Sequence, residues 1–434
     1  MSQYKAYPAY KDSGVEWIGQ VPEEWKTGKL KHLGTLKGGS GFPIDMQGRP
    51  DNELPFYKVG DLSKSQDNIS LIGSSNTISR SEAKDLGATV FPDNTIAWAK
   101  IGAALLLNRR RVSRTACCLD NNMTGFIVDS KKVPVKYAFY LMNAIDFSFF
   151  ARPGAVPSLS EGEQSSIPIA IPSYEESLTI AATLDQETAR IDALIEKKTR
   201  FIELLKEKRQ ALITHAVTKG LDRNAKMKDS GIEWIGQVPE HWKVARVKRL
   251  ASLRNERRND VSTDTIYIGL EDVEAGSGQY KPTNGSSRQS EDSTVGIFYE
   301  GDVLYGKLRP YLRKAIISEM AGCCSTEFLV LRAEKTEPRW LQEWLLTPNV
   351  THQIVSGCEG AKMPRADWGH IGSIEVVYPD QPEQAKILTS LDRETARIDA
   401  LISKAEQSIT LLKERRAAFI TAAVTGQIDL RGKQ

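Results

Sequence analysis

Few residues in this chain have the type and spacing to do chemistry. Gly301-Asp-Val-Leu-Tyr-Gly306-Lys307 has the outline of a phosphate-binding loop, G-x-x-x-x-G-K. Leu308 follows where such a loop needs a Ser or Thr for magnesium. The Val-Leu-Tyr interior favours a strand over a loop whose amides could cradle phosphate. Glu196 and Lys198 form a nuclease-like E-x-K, but inside a long helical pattern, where a surface charge pair is the plainer reading. No H-E-x-x-H, G-x-S-x-G or G-x-G-x-x-G is present, and neither is an Asn-Pro-Pro-aromatic run. The five cysteines (Cys117, Cys118, Cys323, Cys324 and Cys358) and five scattered histidines lack zinc-site spacing, so reduced, buried thiols and no metal are expected.

Basic residues make the stronger pattern. One cluster holds Arg109, Arg110, Arg111 and Arg114 with Asn121 close by. A second holds Arg254, Arg257 and Arg258, then Lys307, Arg309, Tyr311, Arg313 and Lys314. Arg and Lys neutralise phosphates, and Arg and Asn make paired contacts to base edges in the major groove. Any single one of these residues is adequately explained as part of a solvated basic face. The clusters together point to DNA, although the whole chain carries a net charge of only +3 over 434 residues.

The elements that must position these clusters are duplicated. KDSGVEWIGQVPEEW (Lys11 to Trp25) returns as KDSGIEWIGQVPEHW (Lys228 to Trp242), with 13 of 15 positions identical. Leu184 to Asp222 returns as Leu391 to Asp429, an offset of 207, with 25 of 39 identical. The first of these predicts a helix from Tyr174 to Thr218, free of Pro and Gly and stopped by Gly220. Leu184, Ile191, Ile195, Ile202, Leu205 and Leu212 fall on one apolar stripe, matched by Leu391, Ile398, Ile402, Ile409, Leu412 and Phe419. Between the repeated pieces lie two divergent segments with short β-like runs, among them ATVF, NTIAWAKI, GFIVD, TIYIGL, DVLYGKL and EFLVLRA. FPDNTIAWAK (Phe91 to Lys100) is similar to YEGDVLYGK (Tyr299 to Lys307), and the cysteine pairs recur in step. The two segments should share a fold.

The expected fold class is α+β: two globular α+β domains separated by two long helices that pair as an antiparallel coiled coil, with an internal pseudo-twofold repeat. The expected divisions are 1–25 (motif), 26–172 (first globule), 173–220 (first helix), 221–242 (linker with the repeated motif), 243–379 (second globule), 380–427 (second helix) and 428–434 (tail). No apolar run approaches the roughly 18 residues of a membrane span, and MSQYKAYPAYKDSG lacks the apolar core of a signal peptide, so a cytoplasmic protein is expected.

The two KDSG-(V/I)-EWIGQVP motifs, the two LD-x-ETARIDALI helices, their tails LLKEKRQALITHAVTKG and LLKERRAAFITAAVTGQ, and the approaches to each helix resemble the specificity subunits of type I restriction–modification systems over nearly the whole chain. One departure is Glu175-Glu176-Ser177 where the second copy has Glu383-Gln384; no functional consequence is expected. The resemblance implies two target recognition domains, each reading half of a bipartite site in double-stranded DNA, with the helices as a ruler. It implies docking of two methyltransferase subunits and, optionally, two restriction subunits. S-adenosylmethionine, ATP and magnesium would belong to those partners, with no cofactor and no catalytic site here. Loops at Pro157 to Ser160 and Lys362 to Arg365 are secondary candidates for DNA contact. A coiled-coil protein scaffold and a nuclease with an unrecognised site are the alternatives.

Overall fold

A computed structural model of the chain describes residues 4–432 apart from 66, 153, 155, 223, 263, 284–293, 359 and 361; the last two residues of the expected tail lie outside the described residues. Two helices dominate the element order: a first long helix, Tyr174–Lys219, and a second, Gln381–Val424. The first ends one residue beyond its expected limit, at Gly220, whose φ of +73° closes the helix without the penalty a side chain would meet. Contacts divide the chain into two compact units, Met1–Lys198 with Gln407–Gln434, and Thr199–Glu406.

In the first unit a five-stranded sheet runs Gly34–Gly38, Met123–Val128, Ile96–Ala99, Arg110–Ser113, Ser70–Leu71 in spatial order. The first three pairings are antiparallel and the last is parallel. The central strand Ile96–Ala99 is buried along its full length, as the run Ile-Ala-Trp-Ala requires. A smaller sheet places Cys118–Leu119 parallel to Leu54–Tyr57, which also pairs with Thr77–Ile78. A ribbon of Lys26–Lys29 with Pro168–Ile171 leads into the long helix.

The second unit repeats this plan with other residues. Its main sheet runs Ala251–Leu253, Phe328–Ala333, Val303–Gly306, Ala315–Ile317. Its second sheet places Gly322–Cys324 parallel to Tyr267–Ile268, and Lys243–Arg246 pairs with Glu375–Tyr378 as the ribbon. Cys118 and the pair Cys323–Cys324 therefore lie on equivalent parallel strands, and Cys117 stands just before its strand, bridging Phe91. Burial is the largest cause holding three of the thiols protonated, pushing Cys117 and Cys324 up to about 12 and Cys118 to about 11. The β-like runs are legible as strands except ATVF, of which only Phe91 makes a bridge, to Cys117, before Pro92 ends the run.

The repeated motif docks in the same way in both units. In the first, Trp25 is buried and its Nε1 donates to Glu176 at 3.0 Å; in the second, Trp242 donates to Glu383 at 3.1 Å. Glu176 and Glu383 are equivalent at the offset of 207, which explains why the neighbouring departure at Ser177 and Gln384 leaves the anchor intact. Along the apolar stripe, Leu184, Ile191, Ile202, Leu205, Leu391, Ile398 and Phe419 are buried, and Ile195, Leu212, Ile402, Ile409 and Leu412 are half-buried. Within the first unit Arg416 meets Asp192 at 2.9 Å, and within the second Arg209 meets Asp399 at 3.1 Å.

Candidate nucleic-acid interface

The first arginine cluster is divided by its strand. Arg109 and Arg114 are exposed, as is Asn121 on the next turn. Arg110 and Arg111 lie in the buried strand Arg110–Ser113, only 1% and 6% exposed, and this corrects the expectation that they face DNA. Arg110 donates to the carbonyls of Asn108 (2.6 Å) and Ile145 (2.5 Å), and its guanidinium stacks 4.1 Å from the Phe147 ring. Arg111 donates to Arg110 O at 2.7 Å and to Asn68 Oδ1 at 3.1 Å. A guanidinium buried without such acceptors would be strongly disfavoured, so these bonds commit both residues to the fold. Arg114 stays at the surface with Nε on Ser70 Oγ at 2.8 Å.

The second cluster also separates. Arg254 clamps Asp302 with two bonds (2.8 and 3.2 Å), which raise its pKa, and covers the Tyr299 ring. Arg313 donates to Gln210 Oε1 at 3.0 Å and to Leu346 O at 3.4 Å, while Lys314 donates to Leu270 O at 2.6 Å. These three are occupied inside the second unit. Arg257 and Arg258 form a short exposed strand, with Arg258 on Glu256 at 2.7 Å. What remains together at one turn is Lys307, half-buried at the end of the central strand, then exposed Arg309 and Tyr311. The strand Val303–Gly306 fills the interior of the G-x-x-x-x-G-K run, so no phosphate loop forms there.

That turn has a counterpart that the basic clusters did not reveal. Lys307 N–H donates to Glu327 O, Ala366 N–H to Lys307 O, and Arg309 N–H to Pro364 O, each at 2.9 Å, with Leu308 bridging Arg365. In the first unit Lys100 N–H donates to Asn122 O (2.9 Å), Leu159 N–H to Lys100 O (3.0 Å) and Gly102 N–H to Pro157 O (2.8 Å), with Ile101 bridging Ser158. Lys100, Gly102, Pro157 and Leu159 thus stand at the offset of 207 from Lys307, Arg309, Pro364 and Ala366. Both secondary loops, Pro157 to Ser160 and Lys362 to Arg365, fold onto this turn. The available signal was the alignment of FPDNTIAWAK with YEGDVLYGK, whose last residues are these two lysines.

Among the described residues no group of His, Cys, Asp and Glu has the geometry to hold a metal ion, and no helix is long and apolar enough to cross a membrane.

Residues 22–204 match the family of the type I restriction modification DNA specificity domain. The type I restriction enzyme EcoDI specificity subunit of Escherichia coli is 20% identical over 432 residues, covering 94% of this chain and 90% of that relative. Two solved structures share the fold, each at 13% identity. A chain from a study of complex assembly and conformational transition of the type I R-M system has a TM-score of 0.67, covering 95% of this chain and 99% of that one. The HsdS subunit from Thermoanaerobacter tengcongensis has a TM-score of 0.51, covering 94% and 98%. Residues 22–204 thus match the type I restriction modification DNA specificity domain, and along nearly its whole length the chain is similar to a type I specificity subunit.

Proposed function

We propose that each of the two globules reads one half of a bipartite DNA target. The long helices pair as an antiparallel coiled coil, fix the half-site separation and dock methyltransferase subunits. The observation that carries this is one fold laid down twice in a single chain with different side chains on corresponding turns, such as Gly102 against Arg309. Two copies of a reader with unlike surfaces suit two unlike half-sites. The ion pairs Asp192–Arg416 and Arg209–Asp399 support the pseudo-twofold coil, because the offset of 207 converts one into the other. A 46-residue helix is about 69 Å long at 1.5 Å per residue, enough to span one or two turns of B-DNA. Methyl transfer, ATP hydrolysis and cleavage, with S-adenosylmethionine, ATP and magnesium, are assigned to partner subunits, two methyltransferase and optionally two restriction subunits.

The test is co-expression with the products of the neighbouring genes, pulldown, and mapping of methylated bases. A split motif that is lost on deleting this gene is the expected result. No associating methyltransferase and an unchanged methylation map would instead make the chain a protein scaffold, and metal-dependent cleavage by the purified chain would make it a nuclease.

A further inference from the structure

The turn after each central strand presents one residue type in both units and another that differs. Lys100 and Lys307 are the shared element. Both are half-buried, and among the described residues neither ammonium has an ion-pair or side-chain hydrogen-bond partner. Room is kept for one of them: a Cβ on Gly38 would stand 2.9 Å from Lys100 Nζ. Glu161 is near Lys100, its Oε2 3.8 Å from that same Cβ, but forms no ion pair with it; an ammonium without such a pair can take an anion from outside, and DNA offers one at every phosphate.

The differing element is Arg309. The first unit has Gly102 there, at φ +75° and ψ −171°, and the second has an arginine in the left-handed helical region, at φ +52° and ψ +61°. Residues with a side chain resist that conformation, and such strain persists where something else repays it. Arg313, also left-handed at φ +49°, is repaid inside the chain by its bonds to Gln210 and Leu346. Arg309 is exposed, and among the described residues its guanidinium has no partner. Arg309 thus holds a left-handed backbone with its guanidinium at the surface, and among the described residues no side-chain bond offsets the strain.

We infer that these two turns are the edges laid against DNA: Lys100 and Lys307 each hold a backbone phosphate, and Arg309 reads a base in the half-site of the second unit. The division follows from how duplexes are read. Phosphate contacts are the same on every sequence, so duplication preserves them; base contacts must differ between unlike half-sites. The inference rests on the reading of the chain as a two-headed DNA specificity subunit.

The test uses the assembled complex with its methyltransferase, the split motif found by methylation mapping, and duplexes altered in one half-site at a time. Binding is followed against salt. Lys100→Ala and Lys307→Ala should each weaken binding by the same factor on every duplex and lower the salt slope by about 0.9. Lys100→Arg and Lys307→Arg should keep the slope, and recovery of methyltransferase in pulldown shows that each variant is folded. Arg309→Ala should lose about tenfold or more discrimination at one base of one half-site and none at the other, with its methylation map relaxed at that base alone. An unchanged salt slope in folded Lys100→Ala and Lys307→Ala, or an unrelaxed motif with Arg309→Ala, overturns the inference while the two-headed reading stands. A wild-type complex that marks no split motif overturns both.

Discussion

Arg110 illustrates how a residue's chemistry depends on what surrounds it. Its neighbours in sequence are arginines, which suggests a surface patch, yet the strand carries it inward to two carbonyls and the Phe147 ring. Nothing local announces those acceptors, because Ile145 and Phe147 arrive from a distant part of the chain. Lys100 is the converse: a single lysine at the end of an apolar run attracts no notice until the turn around it is matched with that of Lys307. The contrast within the RRR run is directly measurable. Arg110→Met strands two buried carbonyls and should cost about 3 kcal/mol in urea unfolding. Arg109→Ala, at an exposed site, should stay within about 0.5 kcal/mol. Equal losses for the two variants would contradict the placement of the strand.

At the scale of elements the sequence was most legible where one period dominates. A stripe with steps of three, four and seven from Leu184 to Leu212 leaves little room for anything but a helix, and the first helix ends within one residue of its expected limit. The strands were legible where apolar runs are buried on both faces, as in Ile96–Ala99 and Val303–Gly306, and failed where a proline cut pairing short, as after Phe91. The repeated KDSG motif was legible as a repeat, but its task was not, since a tryptophan's partner is invisible in one dimension. That task is to fasten each long helix at its beginning. Glu176, 8% exposed, accepts from both Trp25 Nε1 and Tyr7 Oη (2.8 Å). Trp25→Phe removes one of those donors from a buried carboxylate, which should cost about 1–2 kcal/mol. Amide exchange should then quicken around Glu176 and the first hairpin, and Trp242→Phe should do the same around Glu383. Unaltered exchange at both anchors would mean that packing of the rings alone holds the helices.

At the scale of the whole molecule, each compact unit is assembled from segments far apart in sequence. The core of the first unit joins Tyr7, Val21, Trp25 and Leu184 to Phe419, Ile420, Ala423, Val424, Ile428 and Leu430. Lys5 bridges Asp429, and Arg431 bonds Asp429 at 2.9 Å while lying over the Tyr7 ring. The second unit draws Ile213, Ala216 and Val217 from the first helix into a core with Trp242, Trp340 and Leu391. A deletion near the end of the chain should therefore damage the unit that contains its beginning. Removing residues 419–434 takes seven buried apolar side chains (Ala422 with the six above) from the first core and none from the second. Emptying even one large apolar site costs about 2–5 kcal/mol, so losing all seven exceeds the roughly 5–15 kcal/mol that holds a typical domain folded. Hydrogen exchange on the truncated chain should show protection lost through the strands Ile96–Ala99 and Met123–Val128 and retained through Val303–Gly306 and Phe328–Ala333. Loss in both sets of strands would mean that the units fold only together; loss in neither would mean that the terminal segment is peripheral to a core that residues 4–198 can complete without it.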